Sequence, residues 1–261
     1  MEEQWQVPAF ELMDFSPRRT RYALCIPVIN EGERIRNQLS EMCALGIPSR
    51  IDLLLLDGGS TDGSIEENFL YSQGVRSLLI KTGPGRLSAQ LRMGYAFALK
   101  QGYEGVITMD GNHKDGVEAV DHFIRELDGG FDFIQGSRYL PGGRAVNTPL
   151  LRHLAVKYIH VPLTNWVTGF HYTDTTNGFR GYSRRFLLHP AVQPFRDVFV
   201  GYELIAYLSF KAPRTGLKVK EIPVTRRYPK KGAIPTKISS LRGNWELFTT
   251  LLKVAAGRFD P

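Results

Sequence analysis

The sequence predicts an α/β protein with a single Rossmann-like, doubly wound and mostly parallel sheet flanked by helices. Short apolar runs alternate with segments of helical periodicity, as in a chain that crosses repeatedly from one face of a sheet to the other. Residues 51–56 are apolar almost throughout, which is typical of a parallel strand covered on both faces. Polar and glycine-rich segments follow several of these runs, and open α/β sheets bind ligands beyond the carboxyl ends of their strands.

The first half of the chain shows this alternation most regularly. Residues 1–20 are mixed in character and form an N-terminal extension with no predicted element. Four strands are predicted at residues 22–28, 51–56, 76–81 and 105–109, with helices of apolar spacing after residues 33 and 85.

The second half is less regular, although strands and helices still alternate. Residues 174–182 are typical of a turn. Helices are predicted at 117–127, in parts of 148–168 and from Gly201 onward, and strands at 131–135 and 218–225. Residues 241–261 form an amphipathic C-terminal helix that we expect to dock on the core, with a membrane surface as the sharper alternative.

Composition limits the class of protein. The 261 residues, 43% hydrophobic and 23% charged, are enough to form a large core. A net charge of +7 favours anionic partners such as nucleotide diphosphates, lipid phosphates, anionic membranes or nucleic acid. Cys25 and Cys43 are expected to be buried free thiols. No signal peptide or long apolar run is found, so we expect a cytoplasmic protein whose contact with the inner face of a membrane is at most peripheral.

The apolar run that ends at Met109 leads directly into a cluster of polar side chains. Asp110, Asn112 and Asp115 would lie at the edge of the sheet, where a metal-bound diphosphate could bind. Carboxylate and amide oxygens suit hard cations such as Mg²⁺ or Mn²⁺. A polar turn after an ordinary strand is the alternative interpretation.

Six short motifs occur in a fixed order along the chain. They are Pro-Val-Ile-Asn-Glu at 27–31, Asp-Gly-Gly-Ser-Thr-Asp-Gly-Ser at 57–64, Asp-Gly-Asn at 110–112, Gly-Ser-Arg-Tyr at 136–139, the segment 174–182 and Gly-Tyr-Glu at 201–203. The first three resemble motifs of the inverting family 2 glycosyltransferases, which have the GT-A fold. The later three are similar to those of the dolichyl- and polyprenyl-phosphate mannosyltransferase-like branch.

The resemblance implies a hexosyltransferase that moves a sugar, with inversion and metal assistance, from a nucleotide diphosphate-sugar donor to a polyprenyl phosphate or glycan acceptor. It covers residues 21–240, with a nucleotide-binding half at 21–116 and an acceptor half at 117–240. The implied donor-binding residues are Pro27, Asn30, Glu31, Asp57, Asp110, Gly111 and Asn112, and the implied ligands of Mg²⁺ or Mn²⁺ are Asp110, Asn112 and Glu203. Asp110, Glu203 and Arg138 are implied to be catalytic, and Arg180, Arg226, Arg227, Lys230, Lys231 and Lys237 to bind phosphate or acceptor.

Several residues depart from the family pattern. Gly58 stands where members often have a second aspartate, and Asn112 replaces the second aspartate of the metal motif. A neutral amide oxygen contributes no charge to a bound cation, although Asp115 could restore it. Lys114 could instead neutralise the diphosphate. Asp62 and Ser64 are predicted to cap a helix.

Two other functions remain as alternatives. A nucleotidyltransferase also combines a nucleotide pocket with a metal, but its triphosphate loop should be basic, whereas residues 30–33 are acidic. A nucleic-acid-binding protein would explain the net charge, but the acidic motifs would lie in its binding face, so we expect no nucleic acid partner.

Overall fold

The computed structural model describes residues 5–229 and 241–261, and the side chains of the second range from Trp245 onward. Ten strands are described within these ranges. They are β1 (Phe10–Asp14), β2 (Tyr22–Val28), β3 (Asp52–Asp57), β4 (Val75–Lys81), β5 (Gly105–Thr108), β6 (Phe133–Ser137), β7 (Arg144–Val146), β8 (Arg180–Ser183), β9 (Val219–Pro223) and β10 (Thr225–Arg227).

Helices connect most of these strands. They are α1 (Glu33–Ala44), α2 (Glu67–Ser72), α3 (Leu87–Lys100), α4 (Val120–Asp128), α5 (Leu150–Ala155), α6 (Val161–Thr168), α7 (Arg184–Leu187), α8 (Glu203–Arg214) and α9 (Leu241–Ala255). A π-helical turn at Val156–His160 joins α5 to α6, and single 3₁₀ turns occur at Ile47–Ser49 and Val117–Ala119.

A large sheet runs through the described part of the chain in the order β1-β4-β3-β2-β5-β8-β6-β9. Strands β4, β3, β2 and β5 are parallel to one another, which confirms the predicted doubly wound arrangement. The chain leaves β2 toward β3 on one side and later returns to form β5 on the other. The carboxyl ends of β2 and β5 therefore flank the point where strand order reverses, which is where such sheets bind ligands.

The sheet is covered on both faces, and the inner positions of its central strands β2 and β3 are apolar. In β3, Leu54 and Leu56 pack into the core beneath α3 and α8, whereas Leu53 and Leu55 pack into the core beneath α1 and α4. This alternation follows from the two-residue period of a strand. A strand buried on both sides thus shows no polar face in the sequence.

Two strands of the large sheet were not predicted. Residues 180–183 of the segment interpreted as a turn form β8, which lies antiparallel between β5 and β6. Its sequence, Arg-Gly-Tyr-Ser, has neither an apolar run nor apolar alternation, so local pattern did not reveal it. The N-terminal extension contributes β1, which pairs antiparallel with β4 at the edge of the sheet.

Two local predictions were wrong. Cys43 is exposed on α1, although Cys25 is buried and both thiols are free. Asp62 and Ser64 do not cap α2: the Asp62 carboxylate accepts hydrogen bonds from Ser64 and from the Gly32 N–H, and Glu66 caps the helix instead. The helix begins a turn later than the cluster of capping residues suggested.

The C-terminal helix α9 packs on α8, with Leu251 and Val254 buried in the main core. The expected docking on the core is therefore observed for this part of the helix. None of the helices in the described ranges combines the length and apolar character needed to cross a bilayer.

Candidate functional site

The loops that follow β2 and β3 are joined by side-chain hydrogen bonds. Asn30, in a left-handed conformation with φ 48°, donates its N–H to Ser60 Oγ, and its Oδ1 accepts from the Thr61 N–H at 2.8 Å. The buried Asp57 carboxylate accepts from the Gly59 and Ser60 N–H groups and from Ser60 Oγ. The two loops form one rigid rim, to which the resemblance assigns the nucleoside.

Space beside this rim explains the glycine at position 58. Gln90, buried on α3, donates its Nε2 to the carbonyls of Val28 and Leu56 at 2.9 and 3.0 Å. A Cβ added to Gly58 would lie 2.9 Å from the same Nε2. Gln90 thus takes up the space that a side chain at position 58 would need.

Asp110 follows β5 and lies next to the end of β2. The Gly111 N–H donates to the Pro27 carbonyl at 3.3 Å, and a Cβ at Gly111 would collide with Val28. Glu31, farther along the β2 loop, is paired with Arg34 at 2.9 Å on the first turn of α1. Close backbone packing therefore fixes Asp110 at the predicted rim.

The most distinctive contact of the site is made by Arg226 of β10. Its guanidinium donates to Asp110 Oδ2 at 2.8 Å through Nη2 and to Asp115 Oδ2 at 2.5 Å through Nη1. The Arg226 side chain is 7% exposed, Asp115 is fully buried and Asp110 is 27% exposed. One arginine therefore neutralises two carboxylates, only one of which remains accessible.

Electrostatics favour the ionised form of Asp110, whereas burial raises the pKa of Asp115 above its ordinary value. Burial alone would raise the pKa of Asp110, but the Arg226 guanidinium outweighs it and holds the net pKa below the ordinary value. Burial and the neighbouring Arg226 charge together lower the pKa of Lys114 to about 8. The Lys114 ammonium also lies 5.2 Å from the centre of the Tyr228 ring. The cluster is thus a compact arrangement of two carboxylates and two cationic groups.

The side chains at the rim fit a hard divalent cation. Asn112 Oδ1 is buried without a hydrogen-bond partner, and Asn112 Nδ2 donates to Asp110 Oδ2 at 3.3 Å. Within the described ranges no group of three or more His, Cys, Asp or Glu side chains could hold a metal. Mg²⁺ commonly binds one or two protein carboxylates and completes its coordination with substrate phosphates, so a sparse oxygen set is adequate.

His113 contacts side chains of helix α1. Its Nε2 lies 2.7 Å from Glu41 Oε2 on α1, and its N–H donates to the buried Gln38 at 2.7 Å. The backbone of His113 is left-handed, with φ 55°. Gln38 therefore holds the turn after Asp110. Neither Gln38 nor Gln90 was recognised from sequence; the only available signal is a glutamine on the buried face of an apolar helix.

The loop before β8 closes over Asp110. A Cβ added to Gly178 would lie 2.8 Å from Asp110 Oδ1. The same loop is anchored by a buried ion pair, in which Arg138 binds the Asp174 carboxylate through Nε at 2.6 Å and Nη2 at 2.9 Å. Arg138 Nη2 also donates to Thr176 Oγ1. In this structure Arg138 is thus committed to holding the loop.

Arg180 is likewise engaged inside the protein. Its Nε donates to the Asn177 carbonyl and its Nη2 to the Thr175 carbonyl, at 2.9 and 2.8 Å, and its Nη1 donates to the Ile205 carbonyl of α8. The residue is fully buried. A direct phosphate contact would require these bonds to break, so the observed geometry differs from the one that the resemblance implies.

Glu203 begins α8, as predicted. Its Oε2 accepts the Gly201 N–H at 2.6 Å, and a carboxylate at this end of a helix is favoured by the helix dipole. Among the contacts within the described ranges, none joins Glu203 to Asp110 or Asn112. The assignment of these three residues as ligands of one cation therefore stays a prediction.

A cavity of about 570 Å³ lies between β7 and the start of α5. Its lining includes Arg138, Tyr139, Ala145, Leu150 and His153. Ala145 pairs with Arg226 in the ribbon of β7 and β10, and this pairing connects the wall of the cavity to the Asp110 cluster.

Arg227, next to Arg226, is exposed. Lys230, Lys231 and Lys237, also assigned to phosphate or acceptor, lie outside the described residues.

The chain is similar to known proteins in both sequence and fold. The family model described as glycosyl transferase family 2 matches residues 23–189. The polyprenol monophosphomannose synthase of Mycolicibacterium smegmatis is 27% identical over 211 residues, 78% of this chain and 77% of that protein. The undecaprenyl-phosphate mannosyltransferase of Micrococcus luteus is 25% identical over 207 residues, 78% and 83% of the two chains.

Solved structures share the fold at lower identity. Glucosyl-3-phosphoglycerate synthase from Mycobacterium tuberculosis, in complex with Mn²⁺, uridine diphosphate and phosphoglyceric acid, has a TM-score of 0.61 and 18% identity over 91% of this chain and 78% of that one. Mannosyl-3-phosphoglycerate synthase from Rubrobacter xylanophilus also has a TM-score of 0.61, with 15% identity over 91% and 73% of the two chains.

Proposed function

The chain belongs to glycosyltransferase family 2, and from that premise we propose that it transfers a sugar from a nucleotide diphosphate-sugar to a polyprenyl phosphate, with inversion at the anomeric carbon. It is a glycosyltransferase with the GT-A fold, in agreement with the resemblance seen in its motifs. The observation that carries the proposal is the position of Asp110, at the strand reversal between β2 and β5 and paired with Arg226.

The donor would bind across the joined loops after β2 and β3. Pro27, Asn30, Glu31 and Asp57 would face the nucleoside, and the diphosphate would lie toward Asp110, Gly111 and Asn112. The support is the hydrogen bonding that holds the Asn30 and Ser60 loops in one rim. A rim fixed before binding loses little conformational freedom when the nucleotide arrives.

Departure of the nucleoside diphosphate is the difficult part of the reaction, because negative charge accumulates on the leaving oxygens. Asp110 and Asn112 would hold Mg²⁺ or Mn²⁺, which when bound would stabilise that charge as a Lewis acid. The Lys114 ammonium and the Arg226 guanidinium would add fixed positive charge from the protein.

The acceptor would enter through the cavity between β7 and α5. A phosphate oxygen is already an anionic nucleophile, so this acceptor needs no general base. Arg227, Lys230, Lys231 and Lys237 are the proposed cationic contacts. We propose that Arg138 and Arg180 act as positioning residues, since both hold the loop against Asp110.

A sugar hydroxyl is the alternative acceptor. It would require a carboxylate to remove its proton, and Glu203 is the candidate for that role. In the structure the Glu203 carboxylate accepts the Gly201 N–H at the start of α8. The names of the two mannosyl-transferring relatives favour the phosphate acceptor.

The family membership does not favour a nucleotidyltransferase or a nucleic-acid-binding protein. A lipid acceptor would place the enzyme at a membrane surface. Peripheral contact at the cytoplasmic face is therefore part of the proposal.

The test is release of nucleoside diphosphate from a panel of nucleotide-sugars, with Mn²⁺ and a short-chain polyprenyl phosphate. We expect Asp110→Asn to lower kcat by about 10²–10³-fold, because it removes the charged ligand of the diphosphate site. Asp121→Asn is the matched control: Asp121 is a half-exposed carboxylate on α4, paired with Arg50. Full turnover by Asp110→Asn would refute the assignment of the site. If both variants folded correctly and both were inactive, the loss of activity could not be attributed to Asp110, which would also contradict the assignment.

A further inference from the structure

An apolar surface is exposed on the helical segment that runs from α5 through the π-helical turn to α6. It consists of six large side chains, here called the α5–α6 face: Leu150, Leu151, Leu154, Tyr158, Ile159 and Trp166. Leu151 is 76% exposed and Trp166 is 84% exposed. Large apolar side chains of this kind are otherwise scattered over the described surface, so their concentration within one segment calls for a partner.

The spacing of these residues places them on one side of the segment. The spacing is four residues from Leu150 to Leu154 and from Leu154 to Tyr158, and eight residues from Tyr158 to Trp166. These four side chains therefore lie on one face of the helical segment. The opposite side packs inward: Val156 and Thr164 are buried, and Leu163 and Val167 contact the main core. The exposed residues are therefore a second apolar face, not the packing face of the helix.

Charge indicates the nature of the partner. Residues 149–173 contain no Asp or Glu, whereas they include Arg152 and Lys157. The exposed Lys157 carries its ammonium 5.3 Å from the centre of the Tyr158 ring, within the face itself. Apolar side chains accompanied by cations and by Trp and Tyr suit the boundary between lipid headgroups and acyl chains.

We propose that the α5–α6 face is the surface by which this protein docks onto an anionic lipid bilayer. A second copy of the chain fits less well, because a two-fold contact would set the cations of this face against themselves. The face also begins at Leu150, which lines the cavity between β7 and α5. Resting on the proposed function, this continuity lets a polyprenyl chain leave the cavity directly into the membrane.

The assignment moves the membrane contact away from the C-terminal helix. In α9, Leu251 and Val254 are buried against the core, and Trp245 and Leu252 are its exposed large apolar side chains from residue 245 onward. The α5–α6 face exposes more large apolar side chains than the described part of α9, from residue 245 onward, and it adjoins the cavity. Binding strength at a bilayer scales with buried apolar area and with attraction to anionic lipid, which favours the α5–α6 face.

The experiment is co-sedimentation of the full chain with two kinds of vesicle. One consists of phosphatidylcholine alone, and the other contains about 30% of the anionic lipid phosphatidylglycerol. We expect binding to the anionic vesicles that weakens as salt is raised. Leu151→Glu combined with Trp166→Glu should reduce the partition coefficient at least about tenfold, since charges would enter the apolar region.

Matched controls separate this surface from general hydrophobicity. Leu45→Glu combined with Tyr71→Glu introduces the same charges at side chains that are 49% and 66% exposed on another part of the surface, and should leave binding unchanged. Trp245→Glu tests α9 and should have a smaller effect. The proposal is overturned if the control pair loses binding equally, if Trp245→Glu alone abolishes it, or if wild-type chain ignores anionic vesicles.

Two further measurements distinguish the possible failures. A wild-type dimer in light scattering that the Leu151 and Trp166 variant converts to monomer, with vesicle binding unchanged, would assign the face to a second copy and overturn the proposal. Vesicle binding without sugar transfer to any polyprenyl phosphate would refute the proposed function alone. Transfer to a short-chain acceptor by a protein that never binds vesicles would refute the docking surface alone.

Discussion

Arg226 gives the candidate site an unusual charge arrangement. Its guanidinium is shared between Asp110, which lies at the accessible rim, and Asp115, which is buried. With Lys114 nearby, two cationic groups already balance the two carboxylates. Asn112 adds no negative charge, so the protein offers a divalent cation less electrostatic attraction than two free carboxylates would. A divalent cation therefore has to compete with Arg226 for Asp110.

Replacement of Arg226 should consequently raise metal affinity. We expect Arg226→Met to bind Mn²⁺ about tenfold or more tightly than wild type, because Asp110 Oδ2 loses its guanidinium partner. Isothermal titration calorimetry without substrate measures this directly. The variant should also lose about 3–5 kcal/mol of stability, since Asp115 is left buried and unpaired.

The stability loss can be separated from the change in affinity. Arg226→Met combined with Asp115→Asn removes both buried charges and should retain tighter Mn²⁺ binding in a more stable protein. Arg227→Met, at the exposed neighbouring position, should leave Mn²⁺ affinity as in wild type. Equal or weaker Mn²⁺ binding by both Arg226 variants would contradict competition between the guanidinium and the metal.

Gly178 offers a second prediction at the level of one residue. A methyl group there would lie 2.8 Å from Asp110 Oδ1, so Gly178→Ala must displace either the carboxylate or the loop. We expect kcat to fall by roughly 10–100-fold, because small displacements of a catalytic group are costly. The assay is release of nucleoside diphosphate, measured for Gly178→Ala alone and in combination with Asp110→Asn. If Gly178→Ala lowers kcat by the same factor in that background, it does not act through Asp110.

At the level of elements, the site depends on the segment 174–182 more than its sequence indicated. The segment supplies Asp174 to pair with Arg138, Gly178 to approach Asp110 and the central strand β8. Arg180 then ties the loop to α8 through the Ile205 carbonyl. A turn-like polar sequence thus forms the support of the site, because the charged side chains of Asp174 and Arg180 find partners inside the protein.

The Arg138–Asp174 pair should contribute measurably to stability. At neutral pH, Asp174→Asn should lower the free energy of unfolding by about 3–5 kcal/mol, because Arg138 remains buried without a counter-charge. Arg138→Met combined with Asp174→Leu should recover much of that loss, since no charge remains buried. Urea denaturation followed by circular dichroism measures both. If the double variant were as unstable as Asp174→Asn, the loss of stability would come from altered packing and not from an unpaired buried charge.

The same pair predicts a dependence on acid. Burial would raise the pKa of Asp174, but the bonds from Arg138 outweigh it, and the net pKa lies below the usual range. The pair's contribution is therefore complete above the unfolded pKa of about 3.9 and is lost as pH falls through the lower folded pKa. Wild type should lose this component below about pH 4, whereas Arg138→Met combined with Asp174→Leu should not. If the free energy of unfolding fell with decreasing pH in the same way for both proteins, the Arg138–Asp174 pair would not be a source of the acid dependence.

Much of the element order was predictable, and the reasons for success and failure are physical. Strands β2 to β5 are apolar enough to be recognised alone, and their carboxyl ends locate Asn30, Asp57 and Asp110 along the sheet edge. Contacts that depend on distant partners were not predictable. Neither the bridging role of Arg226 nor the burial of Arg180 has a local signature, because both depend on which strand lies opposite.

The whole molecule is held together partly by a segment that the sequence left without a role. Residues before β2 pair as β1 with β4, and Trp5 stacks on Phe195 with ring centres 4.2 Å apart. Arg92 of α3 donates to the Phe199 carbonyl and to the Gln6 carbonyl. The N-terminal segment therefore spans from the edge of the sheet to the loop that precedes α8.

Removal of residues 1–16 should destabilise the protein as a unit. It uncovers the β4 edge and the Phe195 ring, and unpaired strand edges promote association between chains. We expect Tm to fall by roughly 5–10 °C, corresponding to a few kcal/mol for a domain of this size. Differential scanning calorimetry and size-exclusion chromatography measure the two effects. Trp5→Ala, which keeps β1 paired, should cause a smaller decrease in Tm and no aggregation. If the truncated chain kept the wild-type Tm and stayed monodisperse, the N-terminal strand would not contribute to the stability of the sheet.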